Sequence, residues 1–276
     1  MSQLQFIINS TSVSCPSCNE VFATQIHFKL PEMTSHLPVE ADLHRVLPYG
    51  AIRGSLISIC PKCQYAWWTS SFSRHFFLPF GISIAPMIDH AKKFAHAIFT
   101  GKKHNFHNLD RALLALNGYW CAKESHQDTS KWLALTIQEL TNALADNSWQ
   151  GNRARYHYLL GELLRLNSQF ELAIKEFDLA DSTSALPEEL INNQKNLAKK
   201  HNADSVLLTN EQVQNIFFPN LIKTTEEQNT LAEQENFAPE INSNALSNKS
   251  TPASFSGMLP NSSLPPRKST PVTALR

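Results

Sequence analysis

Four of the five cysteines in this 276-residue chain fall into two copies of one short motif. CPSC occupies positions 15–18, and CPKC occupies positions 60–63. A CxxC pair can close a tight turn that directs both sulfurs at one point, and two such turns supply the four thiolates of a tetrahedral structural zinc site. Pro16 and Pro61 fix the first turn residue in both copies. The motif therefore predicts one Zn2+ per chain, with the ligands Cys15, Cys18, Cys60 and Cys63.

The CPxC motif also allows a redox interpretation, because it resembles the turn of disulfide oxidoreductases. That chemistry uses one CxxC at the N-terminus of a helix after a buried strand, whereas both copies here lie in β-prone, turn-rich sequence. Four reduced cysteines without a role are the least favoured interpretation. A closed shell of four thiolates leaves no open position for water or substrate, so we expect the metal to be structural.

Hydrophobic patterning divides the chain into three parts. Residues 10–83 contain short β-prone runs, and the 41 residues between the cysteine pairs (19–59) can form a strand pair or an inserted loop. Residues 84–202 place apolar side chains at three- and four-residue intervals, as in antiparallel helical hairpins. Residues 203–276 can hold one short element in SVLLTNEQVQNIFFPNLI and are otherwise predicted to be disordered, above all from about 224.

These parts predict an α+β fold that is mainly α. A small β-rich, zinc-ribbon-like head would precede a body of helical hairpins of the tetratricopeptide type, and a disordered tail would follow. Small domains of this kind depend on their metal for folding, so we expect the head to unfold without it. The body has amphipathic helices of its own, and we expect most of its helical structure to persist.

The stretch ARYHYLLGELLRLNSQFELAIKEFDLADSTSALP matches one tetratricopeptide unit. Such a unit needs a small residue where its two helices cross, with large apolar residues around the crossing. The matching positions are Gly161, Ala173, Phe177, Ala180 and the terminal proline Pro187. The departures are His157, where an aromatic residue is common, and Leu164, where tyrosine is common. A mid-helix glycine without a packing role would cost roughly 1 kcal/mol against alanine.

Together, CPSCNEVF, CPKCQYAWWTSSF and LLGELLRLNSQFELAIKEF resemble the bacterial family described as domain of unknown function 2225. The resemblance covers about residues 10–200. It implies a zinc-ribbon head fused to a tetratricopeptide-like body, without an enzymatic activity. This chain has Asn19 and Gln64 where the family usually has glycine. Asparagine adopts the left-handed conformation that such turns often need, whereas glutamine does so less readily.

The sequence offers no convincing second site. The pairs His90/His96 and His104/His107 have spacings that are expected by coincidence among 11 histidines. Cys121 stands beside a tryptophan in an apolar helix and is predicted to be a small buried hydrophobe. A phosphate loop, a nucleophile elbow and a dinucleotide fingerprint are absent from a sequence with only eight glycines. We therefore expect a protein that is not an enzyme.

The partner that the sequence favours is a protein or peptide bound by the helical body. Nucleic acid is the alternative, in which exposed aromatic rings would stack on bases and cations would contact phosphates. The candidate residues for that role are Tyr65, Trp67, Trp68, Arg53, Lys62 and Arg74. Packing of the aromatic strand on the zinc core is the favoured interpretation of 65–68. The balance of 24 Lys+Arg against 24 Asp+Glu also argues weakly against nucleic acid.

We expect a cytoplasmic protein without membrane contact. The start of the chain, MSQLQFIINSTS, has no basic flank and no long apolar core, so it does not resemble a signal peptide. The most apolar window, 76–88, is shorter than the roughly 20 residues of a membrane span and is interrupted by prolines and a glycine. In a reducing compartment, paired CxxC motifs more often bind metal than form disulfides.

Overall fold

The N-terminal part of the chain forms short β-strands around one single-turn helix. The structure is a computed structural model, and it describes residues 8–27, 37–75, 82–146, 152–181 and 186–217. The strands are β1 (Ile8–Ser14), β2 (Val21–His27), β3 (Ile57–Ile59), β4 (Ala66–Trp68), β5 (Ser73–His75) and β6 (Ser83–Ile84). Helix α1 (Gly50–Gly54) lies between β2 and β3 along the chain.

The six strands make two separate sheets. β1 pairs antiparallel with β2 and β5, and β2 pairs parallel with β6, which gives the order β5-β1-β2-β6. β3 and β4 form an antiparallel pair of their own, with Ile57 opposite Trp68. Residues 15–20 connect β1 to β2, and residues 60–65 connect β3 to β4. Each cysteine pair therefore lies at the tip of one hairpin, and the two hairpins belong to different sheets.

In the part of the chain that the structure describes, seven longer helices follow the strands. They are α2 (His90–Lys103), α3 (Asn108–Glu124), α4 (Ser130–Ala145), α5 (Arg153–Leu166), α6 (Phe170–Asp181), α7 (Glu188–Lys199) and α8 (Asn210–Phe217). Each helix from α2 to α6 packs against the next one along the chain. Asp89 caps α2, because its Oδ1 accepts hydrogen bonds from the backbone N–H groups of Ala91 and Lys92. The prediction of a mainly helical fold with a small N-terminal strand part is confirmed.

The strands and the first long helices share one hydrophobic core. Val13, Phe22 and Ile57 of the sheets pack in the same cluster as Phe94 of α2 and Leu114 of α3. A second cluster fills the space between the later helices. The predicted boundary near residue 84 therefore lies between elements that bury apolar surface against each other. All described residues belong to one compact unit.

The long spacer between the cysteine pairs contains β2, a loop at 37–47, α1 and β3. The loop packs on the helical body, and Leu43 is part of the helical core. The hydroxyl of Tyr158 on α5 donates a hydrogen bond of 2.7 Å to the carbonyl oxygen of Ala41. The loop also forms an antiparallel bridge between Glu40 and Leu207. The inserted loop thus ties the N-terminal part to α5 and to the segment before α8.

The short element expected in SVLLTNEQVQNIFFPNLI is helix α8. The predicted disordered stretch from about 224 lies outside the described residues. Among the helices of the described ranges, none combines the length and the apolar character needed to cross a membrane.

Candidate metal centre

The two CPxC turns have the same backbone hydrogen bonds. In the first turn, the N–H of Cys15 donates to the Glu20 carbonyl at 2.8 Å, and the N–H of Asn19 donates to the Cys15 carbonyl at 2.9 Å. In the second turn, Cys60 and Tyr65 make the equivalent bond at 2.9 Å, and the N–H of Gln64 donates to the Cys60 carbonyl at 3.0 Å. The repeated motif therefore produces a repeated local structure.

Asn19 and Gln64 both adopt the left-handed backbone conformation. Their φ angles are 59° and 61°, a region in which a side chain costs free energy and glycine does not. Each residue directly follows the second cysteine of its motif, so the backbone reverses there and aims the sulfurs inward.

The four sulfurs of the two hairpin tips converge on one point. The Sγ atoms of Cys15 and Cys63 are 3.6 Å apart, and those of Cys18 and Cys60 are also 3.6 Å apart. All four Sγ atoms lie within 4.8 Å of one another. Tetrahedral zinc with Zn–S bonds of about 2.3 Å places its sulfurs about 3.8 Å apart. The donor type, number and spacing therefore fit one tetrahedral metal ion.

Burial is uneven across the cluster. Cys15 and Cys60 are buried, Cys18 is half-buried and Cys63 is exposed. Burial raises the pKa of the Cys15 and Cys60 thiols. For Cys63 burial also acts upward, but hydrogen bonds from the Tyr65 backbone and the neighbouring thiols outweigh it and lower the pKa to about 7. A metal cation held by the four sulfurs would stabilise all four thiolates at once. It would therefore displace the protons of the buried Cys15 and Cys60 thiols.

Neither CxxC opens a helix in this structure. Each lies in a turn that follows one strand and precedes another. A redox CxxC acquires its low thiol pKa at a helix N-terminus, and that feature is missing from both turns. Both turns therefore lack the helix N-terminus that a disulfide oxidoreductase places at its CxxC.

The aromatic residues after the second cysteine pair are buried. Tyr65, Trp67 and Trp68 are each less than one tenth exposed. Trp67 contacts Phe106 edge-on, with ring centroids 4.4 Å apart. The strand at 65–68 thus packs on the core, as the favoured interpretation of these residues predicts, and its rings do not face solvent.

The cations proposed for phosphate contacts divide into two groups. Arg53 is buried, and its Nη2 lies 2.7 Å from Oε1 of Glu124. Lys62 and Arg74 are exposed, and Lys62 pairs with Glu20 at 3.5 Å. The guanidinium of Arg53 is therefore engaged inside the protein, and only the two exposed cations of the proposed set face solvent.

The remaining sequence candidates stand apart from the sulfur cluster. Cys121 is buried in α3, its Sγ donates to the Gly50 carbonyl at 3.3 Å, and burial raises its thiol pKa to about 12. This confirms the prediction of a buried small residue. Within the described ranges, the histidine pairs join no group of metal-ligating side chains. These histidine residues are His90, His96, His104 and His107.

Sequence reasoning missed one cluster of possible ligands, which Glu40, Asp42 and His44 form in the inserted loop. The imidazole Nδ1 lies 2.8 Å from Glu40 Oε2, and Nε2 lies 2.9 Å from Glu124 Oε1. Asp42 accepts a hydrogen bond from the indole N–H of Trp120 at 3.0 Å. Both ring nitrogens of His44 face carboxylates, which favours the protonated imidazole, and the ligand atoms of the cluster already have protein partners. The only sequence signal was the alternation of acids and histidine.

Comparisons of the chain with protein-family models, with curated proteins and with solved structures find no match. The resemblance to the domain of unknown function 2225 family therefore stays a hypothesis that rests on its motifs.

Proposed function

We propose that this protein is a non-enzymatic zinc-binding protein whose helical body binds a protein or peptide partner. The observation that carries the zinc assignment is the convergence of four cysteine sulfurs within 4.8 Å. Four thiolates fill a tetrahedral shell, so the ion has no open position for a substrate or an activated water. Its role is to stabilise structure.

The position of the cluster supports that structural role. A metal held by all four cysteines would cross-link the β1–β2 hairpin to the β3–β4 hairpin, which belong to separate sheets. Sheets of two to four short strands are marginally stable in isolation, and a structural metal is a common way to hold them. The metal would therefore fix the orientation of one hairpin against the other.

Two features of α5 and α6 support the interaction role. Gly161 of α5 lies where the helices cross, because a Cβ there would lie 2.8 Å from the Phe177 ring and 3.2 Å from the Ala173 carbonyl oxygen. This is the close crossing that a tetratricopeptide unit requires. Leu172 and Leu179, seven residues apart on α6, are about half exposed at 48% and 49%. These two side chains form an apolar stripe on the solvent-facing side of α6.

Metal analysis of cysteine variants tests the zinc assignment. The full chain, purified without added metal or chelator, should carry one equivalent of zinc per chain. Cys60→Ser should lose most of that zinc. Cys121→Ser is the matched control, since Cys121 is buried but outside the cluster, and it should keep the full equivalent. Equal zinc in both variants, or none in the unaltered chain, would refute the assignment.

Capture of a partner tests the interaction role. The full chain should retain a protein from its native host that then binds the purified chain directly at a fixed stoichiometry. Variants with lysine at Leu172 and Leu179 report whether the α6 stripe contributes. A chain that retains no such protein under crosslinking conditions would contradict the proposed role.

A further inference from the structure

The four cysteines of the cluster differ in how far they are open to solvent. Cys63 is exposed, and so are both of its neighbours in the chain. Cys18 is half-buried, whereas Cys15 and Cys60 are buried. The susceptibility of a thiolate to oxidation follows its exposure. An oxidant dissolved in water therefore meets Cys63 before any other member of the cluster.

Both sulfur–sulfur contacts of 3.6 Å join a more accessible cysteine of one turn to a buried cysteine of the other. The exposed Cys63 faces the buried Cys15, and the half-buried Cys18 faces the buried Cys60. Closing a disulfide of about 2.05 Å from either contact requires an approach of about 1.5 Å. Each accessible sulfur thus has a second sulfur beside it that is protected from direct oxidation.

We propose that the cysteine cluster is a redox-sensitive switch, which hydroperoxides oxidise to the disulfides Cys15–Cys63 and Cys18–Cys60 with loss of the metal. The inference rests on the proposed zinc site and adds a regulation to it. The Cys63 thiolate attacks the hydroperoxide, the O–O bond breaks, and the sulfur becomes a sulfenic acid while the leaving oxygen takes a proton. The Cys15 thiolate then attacks the Cys63 sulfur, so that an S–S bond forms and hydroxide leaves as water.

The first disulfide removes two of the four thiolates, and the remaining pair does not complete a tetrahedral shell. Cys18 and Cys60 form the second disulfide by the same reaction with a second hydroperoxide. Both disulfides connect the β1–β2 hairpin to the β3–β4 hairpin, which belong to separate sheets. The oxidised chain therefore gives up its metal but keeps a cross-link between the two sheets, and a thiol reductant reverses the change.

Hydrogen peroxide added to the zinc-loaded full chain tests the switch. Zinc release is followed with a chromogenic chelator against an untreated sample, and disulfides are mapped by mass spectrometry after free thiols are blocked. We expect release of the bound zinc, Cys15–Cys63 as the first disulfide, Cys121 still reduced, and recovery of the metal after reductant and zinc are added. Zinc that stays bound, disulfides confined to one CxxC turn, or sulfinic acid without disulfides would overturn the switch but leave the zinc site standing. A chain that never binds zinc would refute the zinc site, and the switch with it.

Histidine variants test the order of attack. Cys63→His replaces the exposed thiolate by a ligand that zinc also accepts and that cannot form a disulfide. It should slow peroxide-driven zinc release by at least about tenfold, because the remaining thiolates are less exposed. Cys18→His is the matched control, since it also changes one ligand but keeps Cys63 and Cys15, and it should release zinc about as fast as the unaltered chain. Equal rates in the two variants, or a first disulfide in the unaltered chain that lacks Cys63, would contradict the proposed switch.

Discussion

Gln64 and Asn19 carry the backbone strain of the two cysteine turns. Both have positive φ angles, and a residue with a Cβ pays roughly 1–2 kcal/mol for that conformation unless its side chain compensates. Asparagine compensates through local hydrogen bonds more readily than glutamine. The side-chain amide of Gln64 donates an exposed hydrogen bond of 3.2 Å to the Pro61 carbonyl. Because glutamine adopts this conformation less readily than asparagine, we expect the second turn to be the more strained of the two.

Gln64→Gly should raise the free energy of unfolding by about 1 kcal/mol, since the gain in backbone conformation exceeds the added entropy of the unfolded chain. Asn19→Gly is the matched control and should give a smaller gain. Both are measured by denaturant unfolding of zinc-loaded protein. A loss of stability in Gln64→Gly would contradict this expectation. It would mean that contacts of the Gln64 side chain stabilise the turn by more than the left-handed backbone conformation costs.

His44 predicts a pH dependence of stability. Burial acts to lower its pKa, but hydrogen bonds to Glu124 and Glu40 outweigh burial and raise the folded-state pKa above the ordinary 6.5. Asp42 adds to the rise, while Arg53 opposes it. A raised histidine pKa stabilises the fold fully below the unfolded value and loses that contribution as pH rises towards the folded value.

The free energy of unfolding contributed by His44 should therefore fall above about pH 6.5, by at most about 1.4 kcal/mol per pH unit. His44→Gln should remove this slope, whereas His96→Gln, at an exposed position on α2, should keep it. Unfolding curves at closely spaced pH values give the difference between variants. Equal slopes in His44→Gln and the unaltered chain would show that the imidazole is not the cation between the two carboxylates.

The two cysteine turns were predictable from sequence because each is encoded within a four-residue motif that folds locally. The role of His44 was not predictable, because it depends on Glu124, which is 80 residues away. The burial of Arg53 has the same cause, since its partner is also Glu124. The spacing of residues along the sequence predicts turns and helix faces. Ion pairs between residues far apart in the sequence depend on tertiary packing, which the spacing does not predict.

At the scale of elements, the α5–α6 crossing depends on the absence of a side chain at Gly161. The periodicity of apolar residues predicted both helices, and the small residue predicted their close approach. The structure places Phe177 and Ala173 against that glycine, and both are fully buried. The inserted loop was less predictable, because sequence reasoning could not choose between a strand pair and a loop. The structure shows a loop at 37–47 that packs on α3 and α5.

Gly161→Ala should lower the free energy of unfolding. The added methyl group gains about 1 kcal/mol of helix propensity but meets the Phe177 ring at 2.8 Å, and such overpacking costs about 1–3 kcal/mol. In a Phe177→Leu background the same substitution should be neutral or stabilising, because the ring edge is gone. A double-mutant cycle measured by thermal unfolding isolates the contact. Additive effects would mean that the helices do not cross at Gly161.

At the scale of the whole molecule, we expect metal removal to affect the helices unevenly. α2 and α3 share a core with the strands, whereas α5, α6 and α7 bury their apolar faces in the second cluster. Metal removal should therefore abolish amide protection in the strands, weaken it in α2 and preserve it in α5–α7. Hydrogen exchange with and without chelator measures this. Loss of protection throughout the chain would mean that it folds as one unit with its metal.

X-ray absorption spectroscopy at the zinc edge tests the central claim most directly. Zinc bound to the full chain should be surrounded by four sulfur atoms at about 2.3 Å, with no nitrogen or oxygen ligand. Cys121→Ser should give the same spectrum, because Cys121 lies outside the cluster. A shell containing nitrogen or oxygen, or a chain that takes up no zinc, would contradict a site formed by Cys15, Cys18, Cys60 and Cys63.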